Sequence, residues 1–117
     1  MKPFRLTAEE LVEKDIQKAC MDLLKVRGYK TYRLHAGKFR TMDNRVLTGA
    51  ALGTPDWIAA HGIHRALLVE LKRPRGKAKP HQEKEIEELR RWFGLSVVVV
   101  DSARALAEFL TRHERSP

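Results

Sequence analysis

Asp56, Glu70 and Lys72 are the three residues of this chain whose types and spacing best suit chemistry. They fall within GTPDWIAAHGIHRALLVELKRPRG, Gly53 to Gly76, beside or inside runs patterned for burial. Charged groups in such runs need partners, because an unpaired buried charge is costly. Two carboxylates drawn together in a partly dry site repel each other and raise one pKa unless a cation lies between them. Mg²⁺ or Mn²⁺ suits that role: a hard cation of this kind keeps several waters and takes one or two protein carboxylates plus phosphate oxygens. So held, it polarises a phosphate, lowers the pKa of an attacking water and orients the scissile bond. Lys72 would then lie within reach of that water or of the charge developing on phosphorus. The plain alternative is a salt bridge at a sheet edge, worth about 0–1 kcal/mol, with Asp56 an ordinary turn residue after Pro55.

The elements that must position these groups can be read from local patterns. DWIAAHGIHRALLVELK contains two apolar runs separated around Gly62, the pattern of a hairpin. A turn centred near Gly62 sets Asp56 almost opposite Glu70. Glu70 and Lys72, two apart on one strand, share a face. Upstream, Thr7 and Glu10 have capping-box spacing and Gly28 can close the helix they open. Val12, Ile16, Cys20, Leu23 and Leu24 form its apolar stripe, with Glu13 and Gln17 an i, i+4 pair beside it. YKTYRLHA reads as a short strand. From Gly37 to Pro55 periodicity fails, which predicts a long mobile loop. HQEKEIEELRRWFG predicts a helix with Ile86, Leu89 and Phe93 inward and Gly94 as its stop. LSVVVV is a β-branched run of the kind buried on both faces. DSARALAEFLTRHERSP predicts a helix capped by Asp101 or Ser102, with Leu106, Phe109 and Leu110 on its apolar face. The order is α-β-β-β-α-β-α, an α/β fold with a mixed sheet flanked by helices.

Composition narrows the partners. The chain has 117 residues, enough for a single domain over residues 1–117 with its own core. Its 23 Lys and Arg against 15 Asp and Glu give a net charge of +8, which favours a polyanion, nucleic acid first, through counterion release. Arg33, Lys38, Arg40, Arg45, Arg73, Arg75, Lys77 and Lys79 are placed to form a track for a phosphate backbone. Cys20, the one cysteine, reads as a small buried hydrophobe rather than a nucleophile. Trp57 and Trp92 read as core residues, and His35 and His81 as packing or surface histidines. No apolar run approaches the roughly 20 residues of a membrane span, and MKPFRLTAEE lacks the apolar centre of a signal peptide, so the cytoplasm is the expected compartment, that of a host cell if the source is a phage.

These residues carry a resemblance. TPDW followed by VELKRP resembles the PD-(D/E)xK nuclease signature, and the chain is similar to a stand-alone VRR-NUC domain within that superfamily. The similarity runs from about Leu11 to Val100, through the glutamate of EKDIQ, the YR strand, the GTPD turn, ELK and the glutamine of KPHQ. The name-giving Val-Arg-Arg run does not occur. The resemblance implies a restriction-endonuclease-like core in which Asp56 and Glu70 bind metal, with the Leu71 carbonyl as a third ligand. It implies that Lys72 positions or activates water, that Glu13 joins the site directly or through water, and that Gln82 lines it. It also implies a structure-selective DNA endonuclease, a homodimer acting on branched DNA such as four-way (Holliday) junctions, of use in DNA repair. A flap nuclease, another DNA nuclease or a non-catalytic DNA-binding module are the alternatives. A ferredoxin-like RNA-binding fold is a weaker one, since no aromatic-rich RNA-binding strand is present.

Overall fold

The computed structural model describes residues 8–34, 38–49, 54–72 and 80–115. Among the described residues nine elements follow one another: α1 (Ala8–Val26), β1 (Lys30–Arg33), β2 (Lys38–Arg40), β3 (Val46–Thr48), β4 (Trp57–Ala60), β5 (Leu67–Leu71), α2 (Pro80–Arg91), β6 (Ser96–Val100) and α3 (Ala103–Arg115). The four longer strands form one mixed sheet in the order β1-β4-β5-β6, and β2 and β3 pair separately. β4 runs antiparallel to both β1 and β5, whereas β5 and β6 are parallel. That change of direction requires a crossover, which α2 provides. The expected α/β class and flanked mixed sheet are thus present.

Side-chain alternation splits the core into two layers. Leu67 and Val69 of β5, with Val98 and Val100 of β6, pack against Cys20 and Leu24 of α1 and Leu106 and Leu110 of α3. On the opposite face Leu68 and Val97 meet Ile86 of α2. Leu24, Leu67, Leu106 and Leu110 are among the largest side chains wholly removed from water, each stabilising the fold by about 1.5–3 kcal/mol. Burial pushes the Cys20 thiol up to about 11, which suits packing and disfavours a thiolate.

The run buried on both faces is β5, not β6 as its composition suggests. Four of the five β5 residues are buried, while β6 occupies a sheet edge and leaves Val99 partly exposed. Three apolar residues also depart from their expected places: Val12, Trp92 and Phe93 are exposed. α1 is covered only toward its C-terminal half, and α2 ends at Arg91 before the helical stripe can carry Phe93 inward. Trp57 packs on the main core as expected. The Gly37–Pro55 segment is not wholly irregular. β2 and β3 pair with Phe39 opposite Leu47, closed by Asn44 at φ 66° and by a Thr41 N–H bond to the Arg45 carbonyl. Asn tolerates that left-handed conformation better than most residues, so Thr41-Met42-Asp43-Asn44 was the available turn signal.

Helix ends follow their sequence signals where they are described. Tyr29 N–H donates to the Leu24 carbonyl and Gly28 N–H to Lys25, with Gly28 at φ 90°. This is a Schellman closure. Ser102, rather than Asp101, caps α3 by accepting the Ala105 N–H at 3.1 Å. Thr7 lies outside the described residues.

Gly28 has a second constraint: a Cβ there would lie 2.9 Å from His61 Nε2, whereas one at Gly94, φ 63°, would meet nothing within 4 Å. Gly28→Ala should therefore destabilise the protein by about 2 kcal/mol and Gly94→Ala by about 1 kcal/mol. Urea unfolding monitored by circular dichroism checks that order; equal losses would remove the role of the His61 contact.

Candidate active site

Pro55 is fully buried and fixes the chain as it enters β4. Asp56 follows at the end of the sheet, its carbonyl accepting the Leu34 N–H at 2.8 Å. The register pairs Trp57 with Val69, so the next positions outward, Asp56 and Glu70, stand opposite one another as the sequence predicts. Their carboxylates exchange places across the two strands. Glu70 Oε2 accepts the Asp56 N–H at 3.1 Å, and Asp56 Oδ2 accepts the Leu71 N–H at 3.3 Å. Side chains thus continue a ladder that the backbones leave at Trp57.

Lys72 and Gln82 complete the polar cluster. Lys72 N–H bonds the Val100 carbonyl at 2.9 Å, which extends β5 alongside β6 and fixes the side chain's origin. Its ammonium lies 3.0 Å from Glu70 Oε1 and donates to Gln82 Oε1 at 2.6 Å. Gln82 Nε2 in turn donates to Glu70 Oε1 at 3.3 Å. Gln82 sits in the first turn of α2, so the crossover that makes β6 parallel also delivers this amide.

Glu70 is 3% exposed. Burial raises its pKa first, and the neighbouring Asp56 charge raises it further; the Lys72 hydrogen bond and charge act in the opposite sense. An ionised carboxylate in that position has to be compensated by several donors, and its two oxygens receive three.

A cavity of about 290 Å³ opens beside these groups, bounded by Asp56, Glu70, Leu71 and Lys72 together with Glu13, Ile16 and Gln17 of α1 and Arg33 of β1. Glu13 therefore reaches the site, as expected. Gln17 reaches it too and was not singled out as a site residue, although its i, i+4 relation to Glu13 was a visible signal. Arg33 lies over the Trp57 ring at 5.4 Å, a cation–π contact that holds the guanidinium at the cavity wall. Arg45 belongs to the β2–β3 turn and pairs with Asp43 at 2.8 Å. Lys38 and Arg40 lie on β2. Arg73, Arg75, Lys77 and Lys79, like His35, fall outside the described residues. His81 is exposed at the start of α2.

The donor set fits a hard divalent cation. The carboxylate oxygens of Asp56 and Glu70 at the cavity wall would hold such a cation together with the Leu71 carbonyl, water and ligand oxygens. Such partial protein coordination is the Mg²⁺ pattern.

The Glu70 shift has a definite pH signature. Because the folded-state pKa is raised, the unfolded chain loses this proton first, and stability falls as pH rises from the ordinary glutamate range to the raised value. In EDTA, Glu70→Gln should remove that part of the pH dependence and leave the variant relatively more stable toward neutral pH. Denaturant midpoints taken from pH 4 to pH 7 test this; parallel curves for the two proteins would show that the carboxylate is not strained by burial. Comparison with protein-family models gives no match to this chain, and comparison with curated proteins gives none either.

Proposed function

We propose that this protein is a Mg²⁺- or Mn²⁺-dependent DNA endonuclease that hydrolyses phosphodiester bonds. The observation that carries the reading is the opposed pair Asp56 and Glu70, bonded to each other's strands at the wall of an open cavity, with Lys72 bonded to Glu70. Bound there, the divalent cation would supply Lewis acidity toward a phosphate oxygen and a lowered pKa for an attacking water. Asp56 and Glu70 would hold it through oxygens already oriented by backbone N–H groups. Lys72, positioned by Gln82, would face the water or the charge that grows on the phosphate in the transition state. Arg33, which also lines the cavity, would bind a phosphate of the DNA backbone. Glu13 and Gln17 would orient water from α1.

The substrate reading follows from size and charge. A chain of 117 residues with a net charge of +8 has little surface for reading base edges and ample charge for phosphates. Branched DNA, four-way junctions first and flaps second, cut by a homodimer, is the form of the proposal, in keeping with the VRR-NUC resemblance. A non-catalytic DNA-binding module is the second reading, favoured by one observation: Lys72, Gln82 and the Asp56 N–H each already contact a Glu70 oxygen, so this cluster of four residues has partners without any ligand.

Cleavage of end-labelled junction, flap, duplex and single-stranded DNA in Mg²⁺, Mn²⁺ or EDTA separates the two. Asp56→Ala and Lys72→Ala should each lower the metal-dependent rate by roughly 10²–10³-fold, and Gln82→Ala by about tenfold, with DNA binding retained. Tight binding without cutting in either metal would make the binding module the better reading, and undiminished cutting by folded Lys72→Ala would remove the catalytic assignment.

A further inference from the structure

We propose that Tyr32 and Lys30 form a stacking subsite for an unpaired DNA base, one residue along β1 from the Arg33 that lines the candidate cavity. The stacking itself is independent of catalysis; that the base belongs to the strand being cut rests on the nuclease reading.

Alternation along β1 puts its residues on two faces of the sheet. Thr31 pairs with Ala59 and Arg33 with Trp57, and both partners belong to the layer packed under α1 and α3, so Lys30 and Tyr32 occupy the other face. There the register draws one row across the sheet: Tyr32 opposite Ile58, Ile58 opposite Leu68, Leu68 opposite Val97. Ile86 of α2 covers Leu68 and Val97, and Ile58 packs against the same layer. The β1 end of the row is open. Tyr32 belongs to neither core layer and keeps 49% exposure, whereas Tyr29, three residues earlier, is buried at 4%. Among the described residues β1 is a sheet edge, so a nucleic-acid strand can run along it without displacing another strand.

Charge selects the occupant. Lys30 Nζ lies 5.5 Å from the centre of the Tyr32 ring, a cation–π contact that steadies the ring and, being weak at an exposed site, leaves the ammonium available to a phosphate. Residues 25–34 carry four basic side chains and no acidic one. An exposed aromatic ring among cations is the composition that binds single strands, the ring taking the face of a base and the cations its phosphates. A base within a duplex has both faces covered by its neighbours, so only an unpaired base can use the ring. The position is close to the proposed chemistry. Asp56 lies two residues before Ile58 and continues the β1–β4 ladder through its carbonyl, which accepts the Leu34 N–H, so Tyr32 and Asp56 are diagonal neighbours about 7–8 Å apart. A strand with one phosphate held by Arg33 in the cavity can therefore set an adjoining base on Tyr32, provided that base is free of a partner. Selection for unpaired structure thus has a residue to act through.

Fluorescence anisotropy on the full chain in EDTA tests the subsite, with an end-labelled thymidine oligonucleotide of about twelve nucleotides and a duplex of the same length as probes. Tyr32→Ala should weaken binding of the single strand by roughly 5–100-fold and of the duplex by less than about twofold, with unchanged circular dichroism. Tyr32→Phe keeps the ring and should bind the single strand within about twofold of wild type, which separates stacking from a hydrogen bond of the hydroxyl. Lys30→Ala should lower the salt slope for the single strand by about 0.7. Trp92→Ala, at an exposed aromatic beyond the far end of α2, should bind as wild type does. A wild type that does not bind the single strand, equal losses on both probes in Tyr32→Ala, a loss in Tyr32→Phe or Trp92→Ala as large as in Tyr32→Ala, or an unchanged salt slope in Lys30→Ala would overturn the proposal. No metal is present and cleavage is not read, so loss of the nuclease reading and loss of the subsite are distinguishable.

Discussion

Burying the Glu70 carboxyl group at 3% exposure sets requirements on almost every element around it. A buried anion must be matched by donors from the surrounding structure, and here these come from three directions. The Asp56 N–H arrives from β4, the Lys72 ammonium from the end of β5 and the Gln82 amide from α2. Each donor needs its own support. β4 must be in register with β5, β5 must continue alongside β6 to fix Lys72, and α2 must begin close to the end of the strand it follows. The polar cluster and the sheet topology are consequently one construction.

The sheet itself is held by the apolar layers on either side of β5. Leu67 and Val69 face α1 and α3, and Leu68 faces α2, so the same strand that carries the charge is clamped on both faces. Rigidity at that strand keeps the carboxylate from turning toward water. The cavity beside it is built mostly from residues that project past this clamp: Asp56 and Lys72 at strand ends, Glu13 and Gln17 on the less covered half of α1, Arg33 at the end of β1. A cavity at the open end of a tightly packed sheet combines fixed side chains with access from solvent.

The opposite end of the molecule is secured differently. His61 Nδ1 accepts the Ile63 N–H and its Nε2 bonds the Arg27 carbonyl, which assigns the proton to Nε2. Arg27 also pairs with Glu114 at 2.9 Å, and His113 bonds the Arg65 carbonyl at 2.7 Å. These contacts join the β4–β5 turn to the ends of α1 and α3, locking the hairpin register on which the Asp56–Glu70 alignment depends. Burial pushes the Tyr29 hydroxyl in this region up to about 12, with Glu114 adding to the effect.

Local chemistry was legible in the sequence because it depends on near neighbours. The hairpin period placed Asp56 opposite Glu70, the two-residue spacing put Lys72 beside Glu70, and Gly28 and Ser102 announced helix ends through backbone requirements that no distant contact alters. Residues whose fate depends on what lies across from them were not legible. A run such as Ser96–Val100 has the composition of a central strand, yet strand order put it at the edge; Trp92 and Phe93 have core chemistry, yet α2 stops before it can turn them inward. Gln17 lines the cavity beside Glu13 of the same helix, and Gln82, placed at the site only by the resemblance, meets Lys72 because the crossover helix starts beside β5. Covalent neighbours determined the elements and the spacing of the charges. Only the packing of those elements decided which charges meet, since that choice is made by burial summed over the whole fold rather than by any local preference.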